Sequence, residues 1–152
     1  MDYLKKLRRK GRRFGQYAPT EQGLLIQALV LLPLVSLSLK LGGLSRTQTW
    51  LKWLLKIPSA SVLILPESAS IPQARKTSEL VNLVVRYNRP WATCLNESLL
   101  LEWLLHRQHI DSQLQIGVRR TNGKFEAHAW IECQGMVLND RNRLAQYYSS
   151  FK

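Results

Sequence analysis

The hydrophobic residues of this chain recur with two different periods, and the change between them separates a helical part from a strand part. As far as residue 105, apolar side chains return every three or four positions, which is typical of helices that pack on one face. This spacing predicts four helices, at 24–41, 47–57, 73–87 and 94–105. Gly42-Gly43 separates the first two, and a connector rich in proline and serine is predicted at 58–72.

After residue 112 the period changes to two, as in strands with one buried face. The first predicted strand alternates three aliphatic residues with polar ones: Leu114, Ile116 and Val118. Asn122-Gly123 follows as a strong hairpin signal. Further strands are predicted at 125–132 and 136–140. Helices followed by antiparallel strands predict the α+β class.

The helix at 94–105 is apolar around nearly its whole circumference, so it is expected in the middle of the fold. Cys94 lies in its first turn. There the N–H groups and the positive end of the helix dipole stabilise negative charge, so a thiol at this position is suited to nucleophilic attack. The alternative is that Cys94 is a small buried hydrophobic residue, which is the commoner role of a lone cysteine.

A histidine and an aspartate on the predicted strands are candidates to act with this thiol. A three-residue loop at 133–135 would pair Glu132 with Met136 and place His128 opposite Asp140. Directly opposed residues project from one face about 5 Å apart, close enough for a carboxylate to orient an imidazole. A two-residue loop would place the pair on opposite faces. With the cysteine, the set would supply a nucleophile, a base and an orienting group.

The positive charge is concentrated at the start of the chain. The net charge is +12, and seven lysines and arginines against Asp2 put +6 on the first thirteen residues. This basic arm suits an acidic partner, nucleic acid or an anionic membrane, and a solvated terminus is the alternative. The apolar run at 24–41 has the length of a short membrane span, but Gln27, Pro33 and Lys40 favour a core-packing or interfacial helix.

Two segments carry a resemblance to a known family. Residues 89–99 read Arg-Pro-Trp-Ala-Thr-Cys-Leu-Asn-Glu-Ser-Leu, and residues 125–132 read Phe-Glu-Ala-His-Ala-Trp-Ile-Glu. Together with Gly135 and Asp140 they resemble the lasso-peptide leader peptidase family. The resemblance covers about residues 80–145, and Ala-His-Ala-Trp-hydrophobic-Glu is its most specific part.

The resemblance implies a transglutaminase-like, papain-type fold and assigns a role to each candidate residue. By match to the motifs, Cys94 is the nucleophile, His128 the base and Asp140 the third member of a triad. The implied activity is hydrolysis that removes the leader from a ribosomally made precursor. A partner cyclase, similar to asparagine synthetase, would then close a macrolactam ring on the freed amine.

The domain organisation and the partners of the chain can be predicted as well. A basic arm and linker is predicted at 1–22, a helical hydrophobic region at 23–72 and the peptidase core at 73–152. Because nothing before residue 70 reads as strands, the leader-recognition domain of some relatives is not expected here. A separate leader-recognition protein is therefore the expected partner, besides the precursor leader itself. The expected location is cytoplasmic, since the two cysteines make no disulfide framework, and contact with a membrane surface is left open.

Other functions remain as alternatives at this stage. His106 and His109 lie three positions apart, but the other ligand pairs of a zinc site are absent, so no metal or cofactor is expected. A nucleic-acid partner is not expected, because basic and aromatic residues are not interleaved on the strands. Acyl transfer by the same three residues stays open, as does a non-enzymatic basic binding protein. Asn88 and Thr93 are candidates for the side-chain donor of an oxyanion hole.

Overall fold

A computed structural model describes residues 16–56, 67–140 and 149–150, so the basic arm lies outside the described residues. Three helices and one 3₁₀ turn precede the sheet: α1 (Pro19–Leu55), α2 (Glu67–Tyr87), the 3₁₀ turn Arg89–Trp91 and α3 (Cys94–Arg107). Four strands follow: β1 (Gln113–Thr121), β2 (Lys124–Cys133), β3 (Met136–Val137) and β4 (Ser149–Ser150). The strand order is β3-β2-β1-β4. The predicted α+β class is confirmed.

The first two predicted helices form one long element, α1, which is broken where the sequence placed the separation. Gly43 adopts φ 70°, in the left-handed region that favours glycine, while the residues on either side are helical. The Thr47 hydroxyl donates to the Gly43 carbonyl at 2.9 Å and lies 2.9 Å from the Ser38 hydroxyl. The bend is thus held by a side chain from the following turn, which keeps both halves of α1 on the same core.

The two sides of the first half of α1 have different surroundings. Leu25, Leu32 and Val35 are buried in the core that α1 shares with α2, α3 and β2. The opposite side carries exposed aliphatic residues. By length and composition α1 could cross a membrane, and 33% of its most apolar window is buried inside the protein.

The second helix starts earlier than the sequence predicted. The prediction began it after Ile71-Pro72, because proline is favoured in the first turn of a helix. In the structure α2 begins at Glu67 and Pro72 lies inside it, so the end of the predicted connector is helical. The rest of that connector, at 58–66, lies outside the described residues. Pro72 is the sixth residue of α2, so it lacks the N–H that would bond to the carbonyl one turn earlier.

The predicted central helix is confirmed as α3, which contributes most of the fully buried leucines among the described residues. Leu99, Leu100, Leu104 and Leu105 are fully buried. The Trp103 indole N–H donates to the Leu51 carbonyl of α1 at 3.1 Å. The helix is therefore enclosed by its neighbours, as expected of a helix that is apolar nearly all round.

The β1–β2 hairpin has the predicted two-residue turn, but the β2–β3 hairpin differs from the prediction. Glu132 pairs with Val137 and Cys133 with Met136, so the loop is Gln134-Gly135 and contains two residues instead of three. Both loop residues have positive φ, 49° and 77°, as in a type I′ turn. The predicted pairing of Glu132 with Met136 is wrong, and β3 is two residues long instead of five.

Candidate active site

His128 and Asp140 lie together although the register argument that brought them together was wrong. His128 Nε2 is 3.5 Å from Asp140 Oδ1. The aspartate side chain is 2% exposed and the histidine 14%, so the pair is largely shielded from water. Asp140 lies beyond the end of β3, where strand alternation no longer determines which way a side chain points.

The side chain of Asn139 determines the path of the chain into Asp140. After Leu138 donates its N–H to the Ile131 carbonyl at 3.0 Å, the next bond to β2 is made by a side chain: Asn139 Oδ1 accepts the Ile131 N–H at 2.8 Å. Asn139 Nδ2 donates to the Ser98 hydroxyl of α3 at 2.8 Å. Both bonds are buried, so this amide fixes the segment against β2 and α3 at the same time.

A second bond from the helices holds the same segment. The Ser78 hydroxyl of α2 donates to the Leu138 carbonyl at 3.1 Å. Ser78, Ser98 and Asn139 were not identified as part of the site from the sequence. Ser98 carried the one available signal, because a polar residue on an otherwise apolar, buried helix needs a buried partner.

His128 is positioned along β2 by the residues that share its face. Successive side chains alternate between faces, so His128, Trp130 and Glu132 project from the same side. The imidazole and indole rings are stacked with centroids 5.9 Å apart, and the Trp130 N–H donates to Glu132 at 3.0 Å. Across the ladder, His128 faces Gly117, which has no side chain. The His-x-Trp-x-Glu spacing therefore has a structural reason: glutamate holds the indole, and the indole packs on the imidazole.

Cys94 is the first residue of α3, as the sequence predicted. The Thr93 hydroxyl caps the helix by accepting the Asn96 N–H at 3.2 Å. The Asn96 side chain donates to the Trp91 carbonyl at 2.7 Å, which ties the helix to the preceding 3₁₀ turn. Cys94 is partly exposed at this well-defined helix start.

The other cysteine has a different environment. Cys133 is the last residue of β2, not part of a loop as predicted, and it is buried in the core. Burial raises the pKa of its thiol, and the nearby Asp111 adds to that rise. Cys133 therefore has the character of a structural, unreactive cysteine.

Cys94 is related to the His128–Asp140 pair through α3. Ser98 lies four residues after Cys94, so the two side chains lie one turn apart on the same face of the helix. Ser98 binds Asn139, and Asn139 directly precedes Asp140. The aspartate and histidine are thus tied to the first turns of the helix that Cys94 begins.

The two candidates for a side-chain oxyanion donor are engaged elsewhere. Asn88 donates its amide to the Val84 carbonyl at 2.9 Å, at the end of α2. The Thr93 hydroxyl forms the cap of α3. The structure gives both side chains capping roles at helix ends.

An open cleft of about 780 Å³ lies beside the segment that leads into Cys94. Its lining comes from the last turns of α2 and from the 3₁₀ turn: Glu79, Asn82, Leu83, Val85, Arg86, Arg89 and Ala92. Ala92 is two residues before Cys94. Two arginines against one glutamate make the lining basic overall.

His106, in the last turn of α3, is engaged in a structural contact. His106 Nε2 lies 3.1 Å from the Ser112 carbonyl. Within residues 16–56, 67–140 and 149–150, no group of three histidine, cysteine or acidic residues is placed to hold a metal ion.

Comparisons with known proteins identify the superfamily of this chain. The transglutaminase-like superfamily matches residues 38–151, which include α2, α3 and the sheet. The microcin J25-processing protein McjB of Escherichia coli is 35% identical over 66 residues, which is 43% of this chain and 31% of that protein. The present chain thus aligns with about a third of the length of this relative. No solved structure matches. With three quarters of its length matched, the chain belongs to the transglutaminase-like superfamily.

Proposed function

We propose that this protein is a cysteine peptidase that removes the leader from a ribosomally made lasso peptide precursor. The observation that carries the proposal is the His128–Asp140 pair, tied through Asn139 and Ser98 to the helix that begins at Cys94. The similarity to a microcin-processing protein supports peptide maturation as the context.

In the first step the thiol of Cys94 attacks the carbonyl carbon of the scissile peptide bond. The contact between Asp140 and His128 Nε2 keeps a proton on that nitrogen, which leaves Nδ1 to accept the thiol proton. A distance of 3.5 Å is long for a hydrogen bond, and such contacts often shorten when substrate binds. The Cys94 main-chain N–H has no acceptor one turn back in the helix, so it can stabilise the oxyanion.

The peptide bond then breaks, and His128 returns its proton to the departing amine. This releases the mature part of the precursor with a free amino terminus, while the leader stays on Cys94 as a thioester. His128 next takes a proton from water, and the resulting hydroxide attacks the thioester carbonyl. The carbon–sulfur bond breaks, the leader leaves as a carboxylate and the thiol is regenerated.

The basic cleft beside Cys94 is suited to hold an extended peptide next to the reacting bond. Arg86 and Arg89 can bind carboxylates or main-chain carbonyls of the leader. A separate leader-recognition protein would deliver the precursor and raise its local concentration. A macrolactam-forming cyclase would consume the freed amine.

The proposal is tested by incubating the full-length protein with a lasso peptide precursor from the same organism and following the products by mass spectrometry. Wild-type protein is expected to release an intact leader with a carboxylate end, faster when the leader-recognition protein is present. Cys94→Ala should yield no product, because the thioester cannot form. Cys133→Ser is the matched control and should cleave at a rate close to wild type, since Cys133 is buried in the core.

Cleavage by Cys94→Ala at the wild-type rate would overturn the peptidase proposal. Repeating the assay with an added primary amine separates hydrolysis from acyl transfer. If the amine is incorporated at the leader's end in preference to water, the enzyme is an acyltransferase with the same nucleophile.

A further inference from the structure

The first half of α1 carries an exposed apolar surface, called here the outer stripe. Its six members are all aliphatic, and each is exposed: Ile26, Leu29, Val30, Leu34, Leu37 and Leu41. At about 100° per residue they fall within an arc of about 140° on one side of the helix. From first to last they extend about 22 Å along the axis, at 1.5 Å per residue. The stripe is therefore continuous, and larger than scattered surface leucines would produce.

The opposite face of the same helix packs against the rest of the protein. Ala28, Leu32 and Val35 are buried in the core shared with α2, α3 and β2. A helix that is bound to its own domain along one whole side cannot be surrounded by lipid. α1 thus has the form of a helix that lies on a surface, with one face inward and one face outward.

The charges of the sequence are arranged to match this outward face. The first thirteen residues carry +6, from seven lysines and arginines against Asp2. From Gln22 to Leu39 there is no lysine, arginine, aspartate or glutamate. A strongly basic segment thus lies twelve residues before an apolar stripe whose one charged neighbour in the same arc is Lys40, at its far end. A basic segment and an apolar helix face are together the two signals that bind peripheral proteins to anionic bilayers.

We propose that the outer stripe and the basic arm bind the surface of an anionic lipid bilayer. The stripe inserts its aliphatic side chains at the boundary between headgroups and acyl chains, with the helix axis parallel to the membrane plane. The positive charge of the basic arm adds electrostatic attraction to acidic headgroups. The stripe contains no aromatic or arginine anchor of the kind that dominates specific protein interfaces, which favours lipid as the occupant.

The test is co-sedimentation of the full-length protein with vesicles of two compositions, phosphatidylcholine alone and phosphatidylcholine with phosphatidylglycerol. Wild-type protein is expected to bind the anionic vesicles in preference, and more weakly as salt is added. Leu34→Gln/Leu37→Gln should weaken binding to anionic vesicles by about tenfold or more, because two aliphatic side chains no longer enter the bilayer. Replacing Lys5, Lys6, Arg8 and Arg9 with glutamine should remove most of the preference for anionic lipid.

Leu41 and Phe125 provide a matched pair of single variants, because both are 77% exposed but only Leu41 belongs to the stripe. Leu41→Gln should weaken binding to anionic vesicles, by less than the double variant does, whereas Phe125→Gln should leave it unchanged. All stripe variants should keep the wild-type melting temperature, since the substituted side chains already face solvent.

Four results would overturn the proposal. One is that wild-type protein does not bind anionic vesicles. Another is that the stripe variants bind them as tightly as wild type. Resistance to extraction by alkaline carbonate would mean that α1 spans the bilayer. A wild-type dimer in sedimentation velocity that the double stripe variant converts to monomer, without vesicle binding, would make the stripe a surface for self-association. None of these results depends on peptide cleavage, so the proposal stands or falls separately from the peptidase activity.

Discussion

Asn139 donates a hydrogen bond to the Ser98 hydroxyl at 2.8 Å, and this bond connects the strand side of the candidate active site to its helix side. The same amide accepts the Ile131 N–H, so one side chain joins β2, the segment entering Asp140 and α3. The bond matters because Asp140 lies outside the regular β ladder. There the position of the chain is fixed by side-chain hydrogen bonds instead of main-chain pairing.

We expect Asn139→Ala to destabilise the fold and to slow cleavage. The change removes the amide that accepts the Ile131 N–H and donates to the Ser98 hydroxyl. Losing these buried hydrogen bonds should lower the free energy of unfolding by about 1 to 3 kcal/mol. Denaturant unfolding measures this cost, and single-turnover cleavage measures the loss of rate.

A double-mutant cycle separates this bond from general damage to the core. Ser98→Ala, Asn139→Ala and the double variant should show a coupling energy of about 0.5 to 3 kcal/mol in the free energy of unfolding. Additive effects would mean that the bond does not contribute in solution. A fall in kcat at unchanged KM for the Ser98→Ala protein would indicate that the bond positions Asp140.

The two cysteines should differ sharply in reactivity. Cys94 is partly exposed at the start of α3, whereas Cys133 is 1% exposed and burial raises the pKa of its thiol. Iodoacetamide applied to the native protein is expected to label Cys94 and to leave Cys133 unmodified. Peptide mass spectrometry after digestion locates the label.

Unfolding in guanidinium supplies the control, because both thiols should then be labelled. Labelling of Cys133 ahead of Cys94 in the native protein would contradict the assignment of the nucleophile.

His128 and Asp140 should act as a unit. Asp140→Asn is expected to lower the cleavage rate by about a thousandfold or more, because the amide no longer stabilises the charged imidazole or selects its tautomer. His128→Ala should be at least as damaging, and the double variant little worse than His128→Ala alone. Single-turnover assays on folded protein measure these rates.

Glu126→Gln is a control on the same strand, since Glu126 pairs with Arg119 at the exposed part of the sheet. If the losses from His128→Ala and Asp140→Asn multiply independently, Asp140 has a structural role and the triad is wrong.

Glu102 should make stability depend on pH. Burial raises the pKa of its carboxyl, although His106, the Leu114 N–H and Lys52 act in the opposite direction. Below about pH 4, which is near the pKa of a glutamate in the unfolded chain, the Glu102 carboxyl is protonated in both the folded and the unfolded state. Its burial then does not lower the free energy of unfolding. As pH rises, the unfolded state ionises first, so stability falls until the folded carboxyl also ionises.

Glu102→Gln removes this titration and keeps an oxygen to accept the Leu114 N–H. The variant is therefore expected to melt at a higher temperature than wild type at pH 7, and the difference should shrink towards pH 4. Thermal melts across that range measure it. A variant that is less stable than wild type at pH 7 would contradict the expected sign.

Features that depend on neighbouring residues could be predicted from the sequence alone. Helical and two-residue periods identified α3 and the β1–β2 hairpin, because amphipathic spacing is a property of each segment. The turn at Asn122-Gly123 was identifiable because few residue pairs accept positive φ at both positions. The short motifs around Cys94 and His128 identify the candidate site from the sequence.

Features that depend on distant partners are visible only in the folded protein. Gln134 adopts a positive φ that glutamine rarely prefers, so the two-residue loop and the register of β3 were not evident from local preference. The approach of Asp140 to His128 depends on Asn139, whose partners Ile131 and Ser98 lie 8 and 41 residues away in the chain. Such bonds form only once helix and sheet are packed together, and therefore no local pattern around residue 140 could reveal them.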